Sequence, residues 1–198
     1  GSLELCCLAQ TCIDLLGYST LATMLNEGID PLTSMAADMV GITYDEGKRR
    51  RKILEDSPEY HLPQAVDRVR QTCKVAMYGY PGGLGPATFV HFARKSYGVR
   101  VTEEEARELK NAWLRKLPEM RDFQRLMGQL VEQPGAQVML PRSQRYRGGC
   151  TYTQASNTEF QGPGSDVAKE AGWRIMKQCY LGPGPLYGFR TVNFVHDD

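Results

Sequence analysis

The sequence predicts an α+β fold that is mostly helical. Three observations carry this. Apolar residues recur at helical spacing over most of the 198 residues. One short stretch after Gln133-Pro134-Gly135 has the alternation and turn residues of a hairpin. Near the end, Thr191-Val192-Asn193-Phe194-Val195 is a run of strand-forming residues. The order of helices, a hairpin, a long helix and a strand is an α+β layout.

The elements follow in order. Residues 3–16 repeat apolar positions as a helix does and stop near Gly17. Asp30-Pro31 is a helix start, an N-cap side chain followed by proline at the first helical position, and Gly41 stops that helix. Another helix is expected over residues 44–54. A proline-punctuated connection, "SPEYHLP", leads to a helix over residues 64–78, which "GYPGGLGP" ends. Helix resumes over residues 87–97. Thr102 and Glu105 make a capping box, so a further helix starts at Glu103, with Pro118 kinking or restarting it. "AQVMLP" and "QRYRGG" read as the hairpin. Residues 151–180 are helical, interrupted or bent around Gly162-Pro163-Gly164, and residues 190–196 are expected as a strand.

Composition excludes several classes. At 41% hydrophobic and 24% charged the chain is ordinary globular protein, long enough for one sizeable domain or two small ones. No apolar run approaches the ~18 residues of a membrane span, and no secretory leader pattern is visible. A net charge of +1 does not announce a nucleic-acid partner. The one dense basic run, Lys48-Arg49-Arg50-Arg51-Lys52, reads first as a solvated helix face. Six cysteines without a C-x-x-C pair read as reduced intracellular thiols rather than a zinc site or disulfide framework.

Four stretches could carry chemistry. Arg70, Lys74 and Tyr78 are spaced i, i+4, i+8, which drifts only ~40° per step and stands them ~6 Å apart along one helix face. Such a ladder could hold phosphates and stack a base or sugar. The spacing fits equally a helix with two surface cations and a core tyrosine. In "FVHDD", His196 precedes the adjacent carboxylates Asp197 and Asp198. A strand-end carboxylate pair suits Mg²⁺, a hard cation that prefers oxygen ligands; a solvated strand end is the alternative. Glu4, in an apolar run, could simply favour a helix N-terminus. Asn157 and Gln161, at i and i+4, could present amides to a DNA minor groove or to solvent.

Read in order, these stretches resemble the family A DNA polymerases, in particular their phage-type members. "RQTCKVAMYG" is similar to that family's motif B, R-x3-K-x3-[FY]-G. "VHDD" is similar to its motif C, V-H-D-E, and "SLELCCLAQ" to the tail of motif A. "DPLTSMAADMVGITYDE" resembles the segment that opens the fingers. "LPRSQRYRGG" followed by "ASNTEFQG" resembles the hairpin and long palm helix before motif C.

The resemblance implies the palm and fingers of a right-hand polymerase, with palm over residues 1–29, fingers over 30–135 and palm again over 136–198. It implies that Arg70 and Lys74 hold the triphosphate of an incoming dNTP and that Tyr78 packs on its sugar and base. Glu4 becomes the steric gate against a 2′-hydroxyl. Asp197 and Asp198 become ligands of two Mg²⁺ ions, with His196 near the primer end and Asn157 and Gln161 on the primer–template. The implied partners are primer–template DNA and dNTPs, without a membrane, and the implied setting is the cytoplasm of a phage-infected bacterial cell. A single-subunit RNA polymerase shares the palm, but Glu4 and the K-x3-Y-G spacing argue against it. A non-catalytic nucleic-acid-binding remnant is the alternative from another class.

Several positions depart from the family pattern. Motif A's arginine is Cys6, a phosphate-contacting histidine is Leu32, an arginine four residues before Asn157 is Thr153, and Asp198 is shorter than glutamate. The motif A aspartate would fall two places before Gly1. Both ends thus lie beside catalytic aspartates, which predicts a fragment that is inactive alone.

Overall fold

The computed structural model describes residues 2–193. Among them are nine α-helices and one two-stranded antiparallel sheet. The helices are α1 (Ser2–Leu16), α2 (Thr20–Asn26), α3 (Pro31–Val40), α4 (Tyr44–Arg50), α5 (His61–Gly79), α6 (Pro86–Tyr97), α7 (Glu103–Lys116), α8 (Glu119–Val131) and α9 (Tyr152–Tyr180). Strands β1 (Gln137–Met139) and β2 (Tyr146–Gly148) lie between α8 and α9. The mostly helical α+β class is therefore observed. None of the described helices is long and apolar enough to cross a membrane.

Local chemistry sets most of these boundaries. The Asp30 side chain accepts from the Leu32 amide at 3.1 Å, Pro31 opens α3, and Gly41 closes it at φ 77°. Thr102 and Glu105 form the expected capping box at the start of α7. A second box, Thr151 with Gln154, starts α9. In the hairpin Val138 pairs with Arg147 and is buried between exposed neighbours, so one face of β1 meets the core.

One continuous core joins the helices. Leu8 and Cys12 of α1, Met35 of α3, Cys73, Ala76 and Met77 of α5, Trp113 of α7, Phe123 of α8 and Phe160 of α9 all contribute to it. Tyr80 is its aromatic centre. Its ring stacks on Phe89 at 4.5 Å and tilts against Trp113 at 5.5 Å, and its hydroxyl donates to the Ala106 carbonyl at 2.7 Å. Helix α3 lies along α5, α1 lies along α9, and α8 touches both α1 and α9. Glu119 at the start of α8 is fully buried; its Oε1 accepts from the Leu21 amide at 2.8 Å and from Ser19 Oγ at 3.1 Å, tying α8 to the start of α2.

Four elements differ from expectation, the first being α2, a helix the spacing does not predict, which starts where the Ser19 side chain accepts from the Ala22 amide at 3.1 Å. Helix α4 ends at Arg50 rather than near Leu54. The chain turns there, and the Arg51 side chain reaches back to Asp67 and Thr33. Helix α9 is not interrupted at Pro163. Proline has no N–H to give the carbonyl four residues earlier, which is that of Glu159. Thr11 Oγ1 of α1 donates to that carbonyl at 3.0 Å, so the orphaned acceptor is satisfied from another helix. The expected strand over residues 190–196 does not form in its described part. Residues 190–193 are not strand, the described sheet being the β1–β2 hairpin alone, and Val192 is 95% exposed. Strand propensity alone does not make a strand.

Candidate functional site

Helix α5 buries Cys73, Val75, Ala76 and Met77 in the core. Arg70, Lys74 and Tyr78 share the other face, and all three are half-buried. The two cations are not fully solvated, and Tyr78 packs, partly buried, against the core cluster. The rim of the core is where a charged group can meet a ligand in a reduced dielectric, which strengthens its interactions.

Each of the three has its own surroundings. Arg70 donates through Nε and Nη2 to Asp30 Oδ2 at 3.3 and 3.1 Å, and through Nε to Thr33 Oγ1 at 3.2 Å. Lys74 Nζ lies 6.0 Å from the centre of the Tyr97 ring, within cation–π range. Tyr97 in turn meets Phe92 edge-on at 5.6 Å. Burial pushes the Tyr78 hydroxyl up to about 12, and the negative charge of Glu4 pushes in the same direction, while Arg70 opposes it. Burial and Glu4 also raise Tyr97. Glu4, in the first turn of α1 and half-buried, therefore bears electrostatically on the α5 face although some 70 residues separate them in sequence.

The glycine turn after α5 brings in α9. A Cβ on Gly82 would lie 2.5 Å from Asn157 Oδ1, and one on Gly83, at φ +86°, would lie 2.4 Å from the Tyr152 ring. Only glycines let this turn approach α9 so closely. Asn157 is thereby held against the turn that follows Tyr78, while Gln161, one turn further along α9, is exposed. Arg70, Lys74 and Tyr78 thus share the α5 face, the charge of Glu4 bears on Tyr78, and Asn157 lies against the turn that follows. The chemical capacity of this face is to neutralise an anion and stack a ring.

His196, Asp197 and Asp198 lie outside the described residues. Among the described residues no three His, Cys, Asp or Glu side chains converge as a metal site, so the metal-ligand expectation rests on Asp197 and Asp198. Their carboxylate oxygens have the hardness that Mg²⁺ takes.

The departures from the family pattern have structural consequences. Leu32 is buried at 7% exposure as part of the core cluster, so this position is not available to contact phosphate. Cys6 and Thr153 are exposed. The basic run is not a bare cationic face. Arg49 and Arg50 both pair with Glu46 at 2.7 Å, and Arg51 pairs with Asp67 at 2.9 Å. Glu46 and Asp67 thus offset part of the charge of the run's three arginines.

Two features lay outside the sequence reading. Asp30 is legible as a helix cap but not as the partner of Arg70, 40 positions away. Tyr97, legible only as the end of a helix, is the ring beside Lys74. No protein-family model matches the chain, and no curated protein sequence matches it.

Proposed function

We propose that this chain forms the palm-and-fingers part of a template-directed DNA polymerase of the family A type, adding dNTPs to a primer 3′-hydroxyl. The observation that carries the reading is that Arg70, Lys74 and Tyr78 share one half-buried face of α5, with the charge of Glu4, from a second resembling motif, bearing on Tyr78. Arg70 and Lys74 hold the triphosphate through charge-assisted hydrogen bonds. The Tyr78 ring packs on the sugar and base, and Glu4 fills the space a 2′-hydroxyl would need. Asn157, beside the Gly82 turn, contacts the primer–template close to the nucleotide, with Gln161 one turn along. These side chains supply position and a preorganised field rather than covalent chemistry. Asp197 and Asp198 would be among the ligands of two Mg²⁺ ions, which would supply activation of the primer hydroxyl and stabilisation of the pyrophosphate leaving group.

Primer extension tests this reading. A protein carrying this chain with an aspartate restored at the motif A position should extend a primed template with dNTPs and Mg²⁺, and Asp197→Ala should abolish extension. Extension that survives Asp197→Ala would sink the metal-ligand assignment. Glu4→Ala should admit ribonucleotides. Binding of primer–template with steep salt dependence but no incorporation would instead identify a non-catalytic binding module.

A further inference from the structure

The guanidinium of Arg70 is already engaged. Its Nε and Nη2 form the edge of the fork that matches a carboxylate or a phosphate with two parallel hydrogen bonds. Both donate to Asp30 Oδ2, and Nε is shared with Thr33 Oγ1. The Arg70 and Asp30 side chains are 21% and 35% exposed, so the contact is partly sheltered from water. Thr33 donates its own hydroxyl hydrogen to Asp30 Oδ2 at 2.5 Å, which fixes the carboxylate in place. Burial opposes ionisation of Asp30, but the hydrogen bonds from Thr33 and Arg70 and the charge of Arg70 outweigh it, so the carboxyl titrates below its usual range.

A second arginine stands by. Arg51 Nη1 is 3.1 Å from Thr33 Oγ1 and 3.8 Å from Asp30 Oδ2, and its Nε donates to Asp67 at 2.9 Å. If Arg70 swings away, Asp30 keeps a cation beside it. Release of Arg70 therefore does not strand an unpaired, half-buried charge, the usual penalty for breaking such a pair.

We propose that Asp30, backed by Thr33 and Arg51, is an internal phosphate mimic that latches Arg70 when no nucleotide is bound, and that an incoming polyphosphate displaces it. The inference rests on the reading of α5 as the triphosphate-binding face. Asp30, Thr33 and Arg51 are positioning residues acting through Arg70. The latch makes polyphosphate binding a competition: the anion gains Arg70 only by taking it from Asp30, which Arg51 then neutralises.

The test is calorimetric titration of inorganic tripolyphosphate into the 198-residue chain and its variants, with a thermal melt of each as a folding check. Asp30→Asn keeps a good N-cap for α3 but removes the competing charge, and should tighten binding about fivefold, the size of one exposed-to-half-buried ion pair. The double variant Asp30→Asn with Arg70→Ala should lose that gain, which a merely structural effect would not. Thr33→Val, which leaves the Asp30 cap in place, should tighten binding in the same direction and less. Arg51→Ala should weaken binding, because Asp30 then depends on Arg70 alone. If Asp30→Asn and Thr33→Val bind no tighter while Arg70→Ala weakens binding, the latch is overturned and the α5 reading stands. If Arg70→Ala and Lys74→Ala both leave binding unchanged, the α5 reading itself falls.

Discussion

The two halves of α9 are the same helix held by different forces. Its first half, up to Pro163, is embedded. Ala155, Ser156, Glu159 and Phe160 are buried, Thr11 of α1 bonds the Glu159 carbonyl, and Asn157 and Tyr152 meet the glycine turn after α5. Its second half leaves Val167, Trp173, Ile175 and Met176 between 41% and 51% exposed. That half is laced by pairs one turn apart. Arg174 donates to Glu170 at 2.7 Å, and Lys177 Nζ sits 5.3 Å from the Trp173 ring. Such i, i+4 pairs contribute only ~0.2–0.5 kcal/mol each. Dense tertiary packing secures the half that faces the candidate site, whereas the other half has only scattered ties beyond its own turns, such as Asp166 with Arg145 at 3.2 Å and the Gly188 amide on the Cys179 carbonyl at 3.2 Å.

Substitutions in the two halves should therefore separate by size. Phe160→Ala should be the most damaging, costing about 3–5 kcal/mol, since it opens a cavity at a 1%-exposed position. Chemical denaturation measures it; a loss below about 1 kcal/mol would show that the first half is not locked into the core.

Glu159 should contribute a pH dependence of the next size. Its side chain is 2% exposed, its Oε2 has no partner, and burial raises its carboxyl to about 7. The folded protein then holds this proton more tightly than the unfolded chain does. Between the ordinary glutamate value near 4.5 and about 7, stability should fall as pH rises, by roughly 2–3 kcal/mol in all. Glu159→Gln should flatten that slope in melts recorded across the window. A slope unchanged by the substitution would mean that the carboxylate ionises at no cost.

Thr11→Val should lose about 1–3 kcal/mol, because the carbonyl freed by Pro163 becomes a buried acceptor without a donor. Combining it with Pro163→Ala, which restores the intrahelical N–H, should recover most of the loss. Trp173→Ala should change stability by no more than about 0.5 kcal/mol, as surface substitutions do. A large effect there would show that the second half is packed after all.

Much of the fold was legible because its signals are local. Asp30-Pro31 with Gly41, Thr102 with Glu105, and the glycine run after Gly79 each bound an element within a few residues of itself. The candidate face was legible for the same reason: Arg70, Lys74 and Tyr78 are one helical turn apart, so their common side follows from 3.6 residues per turn. What approaches that face was not legible from spacing. Glu4 was assigned there by resemblance to a family motif, and only the folded chain brings its charge to bear on Tyr78.

The sequence by itself determined most helix boundaries, though not α2 or the end of α4, and which residues share the α5 face. These depend on backbone dihedrals, capping groups and periodicity, all properties of short segments. Tertiary structure decided the rest. It let α9 run through Pro163 because Thr11, 148 residues away, supplies the missing donor. It left residues 190–193 outside the described sheet despite their strand-forming composition. It also gave Arg70 to Asp30, turning a helix cap into the counter-charge of a candidate binding residue. For Pro163 and Arg70 the deciding partner is distant in sequence, and hydrogen-bond and charge pairing are settled only where the packed chain brings donors and acceptors within about 3 Å.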